Sequence, residues 1–502
     1  MNTSTSKLHP RLSGSLALAA AIAAGTTLAP TSARASGLDA PVIGHGQSSP
    51  SARDAAAVYW NPGQLGFIQK PEVYFGGALV IANIGYQRNR LGTYQYSNGD
   101  NILYTKGAVD SQPLAIDPNK TGLAEPVSTT PVAASGNLFV AVPVIKDRFV
   151  LGGGFFVPTA ALLDLPLDGP QKWQVQGAMI LAAQATLSAA VKATDWFSLG
   201  AGFSYVGGFA ELSKVQDFAA TDEFKNGLSE LGIQNDFGPN APSEVRELAL
   251  FSSPLSLKRA WAHWFTFNVG VAFQPTKKFG INLAYQHSTS LKFKGEVAID
   301  MSDQFFGSSG VMGKGIELNG GVMFPPVVRG DATLGLLLPK RLTLGASYDF
   351  NERWRLDGFV QVSFYGEVKS FDVDVTSEDL VQPALGLTNH ALISLPRNWN
   401  HTVWVEASPR MRITKRLVGS VSLGYQSPAS PDETIDMTSP DGHRLLGAGG
   451  LAFHLNEKWS FYGDARFQGI IPREVTTSNF DIANGTYKLF IATLGLHARR
   501  RF

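Results

Sequence analysis

The chain has 502 residues, 44% hydrophobic and 17% charged, with 52 glycines and 31 phenylalanines. The charged share is below the roughly 25% of soluble globular proteins, and 42 Lys+Arg against 41 Asp+Glu give no basic field for a nucleic-acid partner. The absence of cysteine excludes a disulfide framework, thiolate catalysis and a Cys-ligated metal.

The N-terminus carries Lys7, His9 and Arg11, then an apolar run from Leu16 to Leu28, then Ala33-Arg34-Ala35. This order predicts a secretory signal peptide over 1–35, cut after Ala35. Its apolar run is short of the ~20 residues a spanning helix needs, and no later stretch reaches that length. The mature chain is therefore either soluble or a membrane barrel, the other structure that satisfies every backbone donor and acceptor within lipid.

Residues 36–70 are too short for a domain. Ser51 to Trp60 reads as a short helix capped by Ser51 and stopped before Asn61-Pro62. A segment of this size can fill the lumen of a barrel, so 36–70 is expected to be a plug (hatch) and 71–502 the barrel.

The barrel expectation rests on period-two patterning. Phe265, Phe267, Val269, Val271 and Phe273 alternate with Thr266, Asn268, Gly270, Ala272 and Gln274. The same holds for Phe279–Gln286, for Arg353 to Phe364 and for Trp459 to Gln468. A helix repeats near 3.6 residues and cannot use this pattern. A soluble sandwich should leave one face of each sheet polar, whereas nearly every segment here has an uninterrupted apolar face.

Connection lengths alternate. Tight turns fall at 146–147, 194–195, 275–278, 351–352, 414–415 and 456–457; long stretches fall at 88–133, 158–175, 212–258, 300–328, 373–400, 427–443 and 473–485. Short periplasmic turns and long extracellular loops have this rhythm. Pro339 divides 329–338 from 341–350, which gives fifteen strands; bacterial barrels are even-numbered, so 329–350 is read as one strand kinked at Pro339. The fold expected is all-β, a 14-stranded antiparallel transmembrane barrel.

Two loops carry apolar side chains that water alone would not favour. In 212–258, Thr221 heads a helix candidate with Phe224, Leu228 and Leu231, and Ser243 heads another with Val245, Leu248 and then Phe251. In 300–328 stand Phe305, Phe306, Met312, Met323 and Phe324. They form either a packed lid or a ligand groove, and both readings can hold together. Arg353, Arg355, Asp357, Glu406, Arg410, Arg412, Asp464 and Arg466 fall on inward faces. Buried charges need partners, so an ion-pair lattice is the plainer reading; Arg355 and Arg410 are the candidates for a ligand carboxylate. No GxSxG, HExxH or P-loop lysine motif is present, Gly447 to Gly450 suits close strand packing, and His401 and Glu406 lack metal-ligand spacing. No enzyme, cofactor or metal is expected.

The stretch DAAAVYWNPGQLGFI (54–68) resembles the N-terminal hatch signature of the FadL/TodX-type outer-membrane transporters, with Gly63 where alanine is usual after Asn61-Pro62. LGLLLPKRLTLGASYDFNERWRLDGFVQVSFYG (334–366) is similar to the family's Leu-Pro strand and hairpin. Residues 395–450 resemble its Pro-x-Trp strand, Gly-Tyr strand and Pro-Asp loop, and the chain ends on Phe502 like many barrels read by the insertion machinery. The resemblance implies import of long-chain fatty acids or hydrocarbons across a Gram-negative outer membrane. It implies capture in a groove between the third and fourth outer loops and movement of a hatch bearing Asn61, Pro62 and Gly63. Exit would be through the lumen or lateral, the latter through a kink in the third strand, here near 148–158, where Gly152-Gly153-Gly154 and Pro158 permit a break. The partners expected are a hydrophobic small molecule, outer-membrane lipid and the barrel insertion machinery, with the protein a monomer. The rival classes are a general diffusion porin and a structural or adhesion barrel.

Overall fold

The computed structural model describes residues 43–88, 92–95, 101–104, 126–167, 169–217, 252–300, 316–318, 322–381, 388–479 and 483–502. The leader and the two loop-helix readings in 212–258 lie outside these residues.

Fourteen strands form one closed antiparallel wall. They are β1 (Glu72–Arg88), β2 (Val127–Thr129 and Val132–Ile145), β3 (Phe149–Asp164), β4 (Gly177–Lys192), β5 (Phe197–Asp217), β6 (Ser252–Phe273) and β7 (Phe279–Gln286 and Thr289–Asp300). Then come β8 (Val327–Leu338 and Arg341–Asp349), β9 (Trp354–Ser363 and Ser370–Thr376), β10 (His390–Pro396 and Thr402–Arg412), β11 (Leu417–Gln426), β12 (Arg444–His454), β13 (Trp459–Ile470 and Arg473–Val475) and β14 (Gly485–Arg501). Closure is made by β1 on β14, in register from Glu72↔Arg501 to Arg88↔Gly485, so no edge is left unpaired in lipid. Among the described residues no helix is long and apolar enough to cross a membrane.

The tight turns fall where the sequence places them, and four share one device. The side-chain oxygens of Thr276, Asn351, Thr414 and Asn456 each accept two backbone N–H groups from the start of the following strand. This is the local bonding that favours Asn and Thr in turns. Near these turns Trp196, Phe273, Tyr348, Phe350, Trp354 and Phe502 are exposed and form an aromatic girdle. About ten residues higher the outward face changes to tyrosine–histidine pairs: Tyr205 with His263, Tyr285 with His287 at 2.8 Å, and Tyr425 with His443 at 2.7 Å. Between these levels the outward side chains are apolar, such as Phe265, Phe267, Leu283, Leu344 and Val405.

Beyond the upper level the two faces exchange character. In β7 below the break, Ile281 and Leu283 point out and Asn282 points in; above it Leu291, Phe293, Val297 and Ile299 are buried inside while Lys292, Lys294 and Glu296 face out. Interrupting the strand at His287-Ser288 shifts parity by one residue, and a one-residue shift moves every side chain to the other face. Pro339-Lys340 does the same in β8, and in β6 the bulge at Arg259 (φ 51°) does so. Pro339 thus sits inside one spanning strand, as parity argument requires, and turns it over.

Two expectations are corrected. The connections read at 158–175, 212–258 and 373–400 shrink to 165–176, 218–251 and 377–389, because β3 runs to Asp164, β5 to Asp217 and β9 to Thr376, while β6 begins at Ser252 and β10 at His390. The outer ends of these strands carry inverted alternation, which an apolar-out template does not recognise. The helix read over Ser51 to Trp60 is confined to Ala57–Trp60, with no side-chain cap. Ser51 instead accepts the Asn282 amide at 2.7 Å, and Asp54 turns the backbone by accepting Ala56 N–H at 3.0 Å.

A candidate ligand pathway through the barrel

The N-terminal segment lies inside the lower lumen and is bonded to the wall on several sides. Gly46 N–H donates to Asp464 at 2.9 Å and Ala55 N–H to Glu72 at 2.6 Å. Arg410 donates to the Gln47 carbonyl, and Asn268 Nδ2 donates to the Val58 carbonyl at 2.9 Å. Asn61 is fully buried: its amide donates to the Val271 carbonyl at 3.1 Å and its oxygen caps the 3-10 turn Pro62–Phe67 through Gly63 N–H at 2.9 Å. Burial disfavours the Asp54 carboxylate, but the His45 hydrogen bond at 3.1 Å, with the charges of His45 and Arg499, holds it below the ordinary range. A depressed carboxylate contributes stability above its unfolded value of about 3.9 and loses it as pH falls further. The Asp54 carboxylate is thus ionised at neutral pH.

Backbone meets backbone where Asn61-Pro62-Gly63 touches β5 and β6. A Cβ on Gly270 would overlap the Asn61 amide, and one on Gly200 would overlap the Pro62 carbonyl. We predict that Gly270→Val unseats the segment, read as a steady conductance in planar bilayers that the parent chain lacks; an unchanged trace refutes the contact's role.

Above this segment the interior is apolar. One wall is lined by Leu255, Leu257, Leu291, Phe293, Leu334 and Val373, all buried. The facing wall has Val80, Ile84, Leu163, Leu489 and Ile491, and it meets Ile435 and Met437 of the β11–β12 connection. That connection folds inward because Asp441 accepts backbone N–H groups from Ala429, Ser430 and Gly442, at 2.6, 2.9 and 2.8 Å. Met437 N–H donates to Gln174 at 2.8 Å, which ties this connection to the one after β3. Where the apolar interior meets the plug, Arg341 reaches Tyr59 Oη at 3.2 Å. Beside it a cavity of about 20 Å³ is lined by Tyr59, Trp60, Asn268, Gln286, Thr343 and Gln361. That is room for about one water.

The third strand is irregular where the sequence suggests. Pairing of β2 with β3 stops at Asn137↔Phe156, and the β3–β4 register shifts between Phe156 and Thr159, bracketing Val157-Pro158. Phe156 packs on Tyr59 of the plug at 5.2 Å between ring centroids, and Gly152 leaves the space taken by Val58 and Leu65. The plug tip therefore rests on the strand that breaks.

The structure brings Arg355 and Arg410 together on one carboxylate. Arg355 Nη2 lies 2.9 Å and Arg410 Nε 2.8 Å from Asp357, which is 1% exposed. Glu406 and Arg466 form a second buried pair at 2.7 Å. Arg353 and Arg412, read as inward, are exposed at the turn side. Of the groove residues, Phe224, Leu228, Leu231, Val245, Leu248, Phe251, Phe305, Phe306 and Met312 lie outside the described residues. Met323 and Phe324 belong to a backbone hairpin, Ile316–Leu318 with Val322–Phe324. Sequence reasoning did not single out Phe293, Leu334, Val373 and Arg341. The signal was present as a change of parity in each strand, masked by the assumption that apolar means outward.

A family model described as Outer membrane protein transport protein (OMPP1/FadL/TodX) matches residues 14–496. A search of curated protein sequences returned no match. Among solved structures, the fold is similar to a FadL homologue from Pseudomonas aeruginosa, TM-score 0.68 at 18% identity, covering 95% of this chain and 99% of that one. It is similar to the toluene transporter TodX from Pseudomonas putida, TM-score 0.61 at 15% identity, covering 93% and 99%. It also matches the toluene transporter TbuX from Ralstonia pickettii, TM-score 0.57 at 16% identity, covering 91% and 97%.

Proposed function

The chain belongs to the OMPP1/FadL/TodX family of outer-membrane transport proteins, and on that premise we propose that it admits hydrophobic small molecules, fatty acids or aromatic hydrocarbons, from the cell exterior. The observation that carries this is the inverted wall: an apolar interior on the outer side, above a polar lumen shut by a plug. A polar-solute porin has no use for an apolar antechamber, which disfavours the wrong solute by desolvation. Ligand collects in the outer interior, with the loops 212–258 and 300–328 as the capture groove. It displaces the tip at Tyr59 and Trp60, and leaves sideways beyond Phe156, where the β2–β3 ladder ends. The domain scheme that follows is a leader over 1–35, a plug over 36–70 and a barrel over 71–502.

The toluene transporters among the structural relatives and the FadL homologue frame the choice of ligand. Arg341 at the plug tip distinguishes the two classes. A charged hydrogen bond is worth about 1.5–3 kcal/mol, so Arg341→Gln is expected to weaken fatty-acid uptake roughly tenfold and leave toluene uptake unaltered. Uptake of radiolabelled oleate and toluene by knockout cells expressing either chain measures this. Equal loss of both assigns Arg341 to the plug contact alone; uptake of neither by the parent chain overturns the proposal.

A further inference from the structure

The outside of β6 to β8 carries a basic patch directly above the apolar band. On β6 the outward residues Trp261, His263, Phe265 and Phe267 are all exposed, and so are Lys292 and Lys294 on the outer face of β7. Trp261 and Lys294 are partners in the β6–β7 ladder. Continuing that register by two residues brings Lys292 opposite His263, above Tyr285 and His287 of its own strand. His263 with Tyr205, and His287 with Tyr285, mark the upper edge of the band. At ~3.3 Å per residue the two lysines stand roughly 7 Å apart along the strand, on one face.

The nearby acids are engaged elsewhere. Across the β7–β8 ladder Lys292 meets Gly335 and Lys294 meets Thr333, whereas Glu296 meets Asp331 farther out. Glu296 is also the ladder partner of Lys258 and has Arg259 at 3.7 Å. Among the described residues, Lys292 and Lys294 have no ion-pair partner. Gly335 has no side chain to cover Lys292, and a Cβ there would meet only the Asp372 carbonyl, at 4.0 Å. On the other flank Trp261 is 54% exposed, its ring held edge-on to Phe209 at 4.8 Å between centroids. An indole at this level is suited to the boundary between acyl chains and head groups. The grouping is local. The third tyrosine–histidine pair, Tyr425 with His443, has no such company, because residues 426–443 contain no Lys or Arg.

We propose that Lys292 and Lys294 bind the phosphate of a phosphorylated lipid of the outer leaflet, with its acyl chains on Phe265 and Phe267 and its head group against Trp261. Opposite charge selects the phosphate, and basic side chains at a membrane surface hold anionic head groups in this way. Placement selects a lipid over a free anion or a soluble polymer, since the lysines stand at the end of a strip of apolar rings that only an acylated molecule covers. The site lies on the outside of the wall. It rests on the outer-membrane placement of the chain and not on which compound passes through the bore.

The probe is diphosphorylated lipid A, titrated against the purified, folded barrel and followed by native mass spectrometry. Lys292→Gln combined with Lys294→Gln is expected to weaken binding about thirtyfold, from the worth of two basic side chains at an anionic lipid surface. Lys277→Gln combined with Lys278→Gln removes the same charge from an exposed turn at the other end of the wall. That control is expected to bind as the parent does. Dephosphorylated lipid A should bind the parent as weakly as the phosphorylated form binds the Lys292 and Lys294 double variant. The gel shift on heating shows that each chain is folded. An absence of binding to the parent overturns the site, as does equal binding by the parent and the Lys292 and Lys294 double variant, or an equal loss in both double variants. Displacement of lipid A by inorganic phosphate at equal concentration would also overturn it, because the acyl chains would then contribute nothing.

Discussion

Deleting residues 36–60 is expected to convert a nearly silent barrel into one with a steady conductance, larger than the parent's by on the order of tenfold, since barrels of intermediate size leave a lumen that must be filled by protein or water. The lower lumen is lined by Asn268, Asn282, Thr343, Asp357, Gln361 and Glu406, all buried with the plug in place. Removing the plug hands these groups to water, which hydrates them well. The barrel should survive, because its closure by β1 on β14 begins at Glu72, beyond the deletion. Glu72 then loses the Ala55 N–H but keeps Arg501 at 3.0 Å. Planar-bilayer recording of the deleted and full-length chains measures the effect. Unchanged conductance, together with unchanged uptake, would remove the plug from the mechanism.

The second large effect concerns stability. Asp357→Ala strands two guanidinium groups, since Arg355 and Arg410 both converge on this carboxylate and, among the described residues, only Arg355 has another, Asp349 at 3.5 Å. Breaking a buried ion pair by removing one partner costs about 3–5 kcal/mol, whereas replacing all members by apolar groups is often neutral. The single variant should therefore unfold at markedly lower temperature or urea concentration, followed by the gel shift of heat-treated barrels. Asp357→Ala combined with Arg355→Leu and Arg410→Leu should recover much of the loss. If the triple variant is no better than the single, the three residues do not act as one cluster.

Much of this architecture was legible in the sequence because lipid imposes a strict template. The alternation of Phe265 to Phe273, the Asn and Thr turns, and the parity argument at Pro339 all follow from backbone groups that must pair and side chains that must face acyl chains. The plug was legible through resemblance, since DAAAVYWNPGQLGFI has no periodicity of its own; its four-residue helix is held to the wall by Asn268, which donates to the Val58 and Tyr59 carbonyls, and not by a cap. The ion-pair lattice was legible as inward charge, though Arg353 and Arg412 lie far enough toward the turns to reach water. The apolar outer interior was not. Leu291, Phe293, Leu334 and Val373 alternate with polar residues as cleanly as the membrane strands do, and alternation alone does not say which face is inside.

The exchange of faces has a consequence for the cell surface. Above the tyrosine–histidine level the outside of β6 to β9 carries Lys258, Lys292, Lys294, Arg329, Asp331 and Asp374, all exposed. This part of the wall stands clear of the acyl layer as a water-wetted chimney with a greasy bore. The hydrated, charged coat outside an outer membrane is a poor solvent for an oily molecule; the chimney carries the oil-like environment outward through that coat, shortening the aqueous distance such a molecule must diffuse before it meets a surface that holds it.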